Sequence, residues 1–257
     1  MAHLSVVGCG NMGGALLKGL AQSGNHRLVG CDVDEHARAA VAECCVETTD
    51  DLAVAGQAEY VVLALKPDVV TDILSALDLN SNQTVISIAA GVSTDHLATV
   101  TDASIVRLMP NLAAETTNMA AAVTGAVDDT TRALLDDLGE FAEIKEPQMD
   151  IATAVNGSGP AFIFYLIGAM KRAGVNSGLD DTQAETLAAQ TAKGAAETVL
   201  QSEQSIDELI DSVCSPGGTT IEGMRQLWES TAESDLITAV HAAEDRSREM
   251  AAEVTDE

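Results

Sequence analysis

Leu4-Ser5-Val6-Val7-Gly8-Cys9-Gly10-Asn11-Met12-Gly13 is the stretch on which the fold turns. Leu4 to Gly8 reads as a buried strand. It runs into a G-x-G-x-x-G, and a helix is predicted from about Asn11 to Ser23. Arg27 to Cys31 is a second short apolar strand, with Asp32 at its end, 19 residues after Gly13. The first glycine permits a tight turn, the second lets backbone approach a pyrophosphate, and the third lets helix pack on strand. Strand, glycine turn, helix, strand and terminal acid together make a Rossmann dinucleotide-binding unit. Asp32 is placed to accept hydrogen bonds from both ribose hydroxyls of NADH and to repel the 2′-phosphate of NADPH. No Arg follows it closely, whereas Asp34 and Glu35 do, so NADH is expected over NADPH.

The alternation continues downstream. Strands are predicted over Glu59 to Leu65, Thr84 to Ile88, Ser104 to Leu108 and Phe141 to Lys145, with Pro67 opening a helix as its first residue. Such alternation implies a mainly parallel sheet covered on both faces. The loops at Gly8, Asp32, residues 64–67, 89–91 and 109–111 then share the sheet's carboxyl edge, where ligands bind. From about Pro147 the period turns helical. Helices are predicted over Ile151 to Val155 and Ala161 to Ala173, broken by Asn156-Gly157-Ser158-Gly159-Pro160. Others cover Asp181 to Ser202, Ile206 to Val213, Ile221 to Ser230 and Asp235 to Val254. The expected architecture is an α/β Rossmann-type parallel-sheet domain, residues 1–146, followed by an all-α helical domain, residues 147–257.

Net charge is −27, from 40 acids against 13 Lys and Arg. That excludes nucleic acid and anionic membranes as expected partners. The acids are dispersed rather than gathered in a tail, as in proteins adapted to concentrated salt, where a Debye length of ~3 Å at 1 M screens self-repulsion. Five cysteines without a C-x-x-C pair suit neither a zinc site nor a disulfide framework. None of the five histidines has metal-ligand spacing, so no metal is expected. Reduced thiols and a first strand that begins almost at once point to the cytoplasm. The most apolar run, Ala161 to Met170, is shorter than the ~20 residues a bilayer requires.

Ser215-Pro216-Gly217-Gly218-Thr219-Thr220 carries the second functional reading. Pro216 and the glycines end one helix, and another begins near Thr219 or Thr220, with hydroxyls placed to cap its free N–H groups. A helix start with spare N–H groups suits a small anion such as a carboxylate.

Taken together, the blocks Gly8-Cys9-Gly10-Asn11-Met12-Gly13, Ala64-Leu65-Lys66-Pro67, Ala89-Ala90-Gly91, Arg107-Leu108-Met109-Pro110-Asn111, Asn156-Gly157-Ser158-Gly159-Pro160-Ala161 and the 215–220 corner resemble the pyrroline-5-carboxylate reductase family. The likeness covers essentially the whole chain. It implies hydride transfer from NADH or NADPH to the C=N carbon of pyrroline-5-carboxylate, giving L-proline. It also implies homodimers built on interlocked helical domains and often assembled into a decamer.

By resemblance, residues 7–12, Val7 to Met12, cradle the pyrophosphate, and Ala64, Leu65, Lys66, Pro67 and Ala90 flank the cofactor. Ser215, Gly217, Gly218, Thr219 and Thr220 hold the substrate, Thr220 through its ring nitrogen, and Glu146 falls where the family has an acid near the substrate. Asn156 stands where the family usually has Ser, and Leu112-Ala113 where it usually has Thr-Pro. Two other readings are a β-hydroxyacid-type dehydrogenase using Lys171 or Lys193, and a non-enzymatic nucleotide-binding protein.

Overall fold

The structure is a computed structural model and describes residues 1–255. Its residues divide into two compact units, Met1–Gly157 with the chain from Ala243 onward, and Ser158–Ala242.

The first unit is built on an eight-stranded sheet of order β3-β2-β1-β4-β5-β6-β7-β8. Its strands are β1 Ala2–Val7, β2 His26–Cys31, β3 Glu47–Thr49, β4 Tyr60–Leu63, β5 Thr84–Ser87, β6 Ser104–Pro110, β7 Met119–Gly125 and β8 Gly139–Glu143. The first six run parallel. β7 is antiparallel to β6, and β8 runs parallel to β7. The strand order reverses beside β1, which places a topological switch point at the end of that strand.

Both faces are covered, so the central strands read as continuous apolar runs rather than alternating ones. One face packs Leu4, Val6, Ile86 and Val106 against Leu16, Leu17 and Leu20 of helix α1, Asn11–Ser23, and against Leu134 and Leu135. The other packs Val7, Val61, Leu63 and Val85 against Val70, Leu74 and Leu97. Ser5, fully buried among them, donates its hydroxyl to Ala55 O at 2.8 Å.

Two strands, β3 and β7, were not among those expected from sequence. β3 has three residues and exists through its pairing with β2. β7 contains three consecutive alanines, which favour helix in isolation, but it is hydrogen-bonded on both sides. Helix α2 covers Glu35–Val41, α3 Leu52–Ala55, α4 Pro67–Ala76, α5 Thr94–Leu97 and α6 Asp129–Asp136. Pro67 does open α4, as expected.

The predicted break at 156–160 is narrower than expected. Helix α7, Met149–Ala152, continues as a π-turn over Thr153–Gly157, and helix α8, Gly159–Asn176, begins one residue later with Pro160 in its first turn. Proline is tolerated there because first-turn N–H groups have no intrahelical partner. The helical stretch Glu146–Asn176 therefore contains an 18-residue window of mean hydropathy 1.3, enough to cross a membrane by length and composition alone. The ten apolar residues Ala161 to Met170 lie inside this longer helical stretch.

The second unit is helical. It holds α8, α9 Asp181–Gln201, α10 Ile206–Val213, α11 Thr219–Trp228 and the start of α12, Ala232–Thr255. Reciprocal side-chain and backbone bonds open two of these helices: Asp180 with Gln183, and Ser205 with Glu208. Gly174 lets α8 approach Ala184 of α9 closely; a Cβ there would lie 3.2 Å from that of Ala184. Between residues 158 and 242 only Ala184 and Ala188 are buried. Phe164 and Tyr165 are 70% and 71% exposed, and Ile163, Leu187 and Leu200 are also open to solvent. So little burial falls far short of what an independent domain requires.

Candidate active site

The glycine turn behaves as its spacing predicts. Gly8 sits at φ +96, where an added Cβ would lie 2.3 Å from Ala64 O, so the turn requires glycine. A Cβ on Gly13 would meet Gly8 O at 1.8 Å, whereas one on Gly10 would meet nothing within 4 Å. The first and third glycines close the turn against the sheet, and the second leaves open space before the helix. Gly10 is the N-cap of α1, and no side chain caps that helix. The free N–H groups and the positive end of the helix dipole face the opening, as binding of a pyrophosphate demands. A cavity of about 510 Å³ begins beside them, lined in part by Cys9, Gly10, Asn11, Gly14, Lys18 and Asp34.

Asp32 is fixed by backbone. Its Oδ2 accepts from Cys9 N–H at 2.7 Å and its Oδ1 from Asp34 N–H at 2.9 Å. Arg38 donates to the Asp32 carbonyl at 2.5 Å, not to its carboxylate. Each carboxylate oxygen keeps a lone pair for a ribose hydroxyl. The neighbouring thiols are not nucleophiles. Burial, then the Asp32 charge, pushes Cys9 up to about 12, and burial pushes Cys31 and Cys45 to about 11, so all three stay protonated near neutrality.

The other edge loops follow the sheet. Ala64 N–H donates to Val7 O at 2.8 Å, which ties the end of β4 to that of β1. Lys66 is the exposed N-cap of α4, ahead of Pro67. Ala89 is buried and Ala90 half-buried after β5. Gly91, at φ +76, is covered by Ala251 of α12; an added Cβ would stand 2.8 Å from that residue's Cα. Met109 packs in a small cluster with Ala122 and Met149, with Ala90, Ile144 and Ala152 against it. Val7, Gly8, Cys9, Gly10, Asn11, Met12, Gly13, Asp32, Ala64, Leu65, Lys66, Pro67 and Ala90 thus gather at or beside the carboxyl ends of β1, β2, β4 and β5.

Glu146, expected by resemblance near the substrate, is held by two side chains of the first unit. Its Oε1 accepts from Arg107 at 2.6 Å and its Oε2 from the Thr94 hydroxyl at 3.1 Å. Both oxygens are engaged within the first unit. Arg107 is buried on β6 and needs that partner, because an uncompensated buried charge is costly. Arg107 has no role assigned from sequence alone. Its signal was a charge inside the apolar run Ile105-Val106-Arg107-Leu108.

In the second unit, Ser215 O accepts from Gly218 N–H at 3.0 Å, Gly217 takes φ +72, and Gly218 is the N-cap of α11. The expected hydroxyl cap is therefore absent: no side chain caps α11. Thr219 and Thr220 are its first two residues, past the position from which a side chain folds back onto the N–H groups. The first-turn N–H groups stay available, and both threonines are exposed. Lys171, a candidate acid/base under the hydroxyacid reading, is held by Asp181 at 2.8 Å and Glu185 at 2.6 Å. Among the described residues no cluster of His, Cys, Asp and Glu could hold a metal ion.

Comparison with known proteins decides the family. The chain is 36% identical to pyrroline-5-carboxylate reductase of Methanosarcina acetivorans over 96% of its length and 97% of that protein's. It belongs to the pyrroline-5-carboxylate reductase family. The family described as pyrroline-5-carboxylate reductase dimerisation matches residues 146–250 of this reductase-family chain, and that described as NADP oxidoreductase coenzyme F420-dependent matches residues 3–91. Among solved structures, a pyrroline-5-carboxylate reductase from Coxiella burnetii superposes with a TM-score of 0.87 at 30% identity, covering 96% of this chain and 98% of that one. The Plasmodium falciparum pyrroline carboxylate reductase with NADP bound gives 0.82 at 28% identity, covering 97% and 98%.

Proposed function

We propose that this family member reduces 1-pyrroline-5-carboxylate to L-proline with a reduced nicotinamide dinucleotide. The observation that carries the reading is a glycine turn with uncapped helix N–H groups, in a chain matching a curated reductase along 96% of its length. The pyrophosphate lies on the turn 7–12, and Lys66 positions the cofactor through its loop rather than donating a proton. Carboxylate binding falls to the first-turn N–H groups of Thr219 and Thr220, with Ser215, Gly217 and Gly218 shaping the turn. The bound cofactor would supply hydride to the C=N carbon; the ring nitrogen enters as the iminium, its proton taken from solvent, so that hydride addition completes the amine. Hydride transfer requires donor and acceptor carbons ~3–3.5 Å apart. Thr220 accepts a hydrogen bond from the iminium N–H and can donate to the product amine. Glu146, held by Arg107 and Thr94, is assigned to the substrate side on the family resemblance. The test is cofactor oxidation on adding pyrroline-5-carboxylate, with NADH and NADPH in parallel at high salt; absorbance that does not fall with either cofactor rejects the assignment.

NADH is the favoured cofactor, on the Asp32 carboxylate at the ribose end. Like-charge contacts of this kind cost several kcal/mol. Asp32→Ala is expected to lower the ratio of NADH to NADPH kcat/KM by about tenfold or more. An unchanged ratio would place the selectivity elsewhere.

Residues 147–257 act as a substrate and dimerisation domain. The scarcity of burial between 158 and 242 supports a homodimer, with assembly to a decamer as the larger form. The exposed apolar face is assigned to a second copy rather than to lipid, and five free cysteines support a cytoplasmic setting. Net charge −27 supports adaptation to concentrated salt. Raising KCl from dilute buffer to the molar range is expected to raise Tm by about 10 °C, each 1 kcal/mol of relieved repulsion shifting Tm by about 2–4 °C. A Tm that does not move with salt would remove that reading.

A further inference from the structure

We infer that Asn156 is a positioning residue for the hydride transfer proposed above, on which this inference rests. Its Nδ2 donates to Met109 O at 2.6 Å and to Ala120 O at 3.0 Å, so one carboxamide bridges the end of β6 and the start of β7. Asn111 closes the clamp from the other side. Its Nδ2 donates to Asn156 O at 3.3 Å, and its Oδ1 accepts from Ala113 N–H at 3.1 Å and Ala120 N–H at 3.3 Å. The amide orientation of Asn156 follows from its neighbours, because both are carbonyl oxygens and only the NH₂ group can serve them.

Three features show what this arrangement maintains. Pro110 pairs opposite Ala121 and brings no N–H to the ladder, so the strand end lacks a donor at that point. The π-turn Thr153–Gly157 inserts an extra residue into the helical path and carries Asn156. The remaining Oδ1 of Asn156 is buried without a partner, a destabilising feature that persists where surrounding structure enforces it. The clamped residue, Met109, packs in the cluster that Ala90 joins at the cofactor edge. Asn156 therefore acts on the nicotinamide side through Met109 and Ala90, without touching the reacting atoms.

The experiment compares wild type, Asn156→Ser and Asn156→Ala as full chains at high salt. It reads kcat, the KM for pyrroline-5-carboxylate and the NADH Kd from fluorescence titration. In Asn156→Ala, kcat is expected to fall roughly 10- to 100-fold, the scale on which misplacement of about 1 Å acts, while Kd and KM change by less than about threefold. Ser has one hydroxyl donor where Asn has two N–H groups, so its kcat should fall between the two. Space-filling alone would leave Ser and Ala equally impaired, and that result, or unchanged kcat in Asn156→Ala, overturns the inference. Should Asn156→Ala fail to fold, Asn111→Asp removes the donor to Asn156 O and keeps the acceptor. A lowered kcat with intact NADH binding supports the clamp, and an unchanged kcat overturns it. Wild type without turnover refutes the proposed reaction before any variant is read.

Discussion

Thr220→Ala is expected to lower kcat/KM for pyrroline-5-carboxylate by roughly 10²-fold, the scale seen when one preorganised hydrogen-bonding group is lost from a reacting centre. The side chain is exposed at the second residue of α11 and makes no capping bond, so its removal should change stability by less than about 0.5 kcal/mol. NADH affinity should stay within about twofold, since the proposed dinucleotide site, the Gly8-to-Met12 turn, is untouched. Thr220→Ser retains the hydroxyl and should recover most of the rate. Steady-state kinetics beside a dinucleotide titration separates these outcomes. Near-parental kcat/KM in the alanine variant would contradict the role given to this hydroxyl.

Gly13→Ala carries the second large effect, on the fold itself. The new methyl would lie 1.8 Å from Gly8 O and 3.0 Å from the Ala64 Cβ, and backbone on both sides is held by β1 and β4. Helix α1 must lift from the sheet or the turn must open. Overpacking of a core contact costs about 1–3 kcal/mol, and a contact with fixed backbone belongs at the upper end. Tm should fall by about 6–12 °C, with dinucleotide binding weakened as the turn distorts. Gly10→Ala is the internal control. Its methyl meets nothing within 4 Å and its φ of −67 suits alanine, so Tm should hold. The same methyl occupies the approach to the helix N-terminus, and affinity should still drop. Thermal melts and fluorescence titrations of both variants test the pair, and equal stability of the two would refute the packing argument.

Features that depend on backbone geometry within one short segment were legible in the sequence. The glycine turn and the start of α4 at Pro67 both lie where local chemistry puts them. Features decided by distant partners were not. β7 reads as helix along its alanines and becomes strand only because β6 and β8 pair with it. Arg107 inside an apolar strand announces that some acid must meet it, but nothing local names Glu146, 39 residues away. The family likeness puts Glu146 near the substrate, and its ion pair with Arg107 lies outside what that likeness indicates. Thr219 and Thr220 have the composition of a cap, yet the turn at Gly217 shifts the cap back to Gly218. Asn156 was visible only as a departure from the family's usual Ser, since the two carbonyls it bridges lie on other strands.

With just two alanines shielded from water between residues 158 and 242, the homodimer proposed above would supply through association much of the free energy that holds those helices in shape. Folding and pairing then become one equilibrium governed by mass action. Each tenfold dilution weakens a two-chain assembly by about 1.4 kcal/mol, so an enzyme robust at cellular abundance would unravel in a sufficiently dilute cuvette. Activity per milligram would fall along with it, although no residue at either catalytic surface had changed.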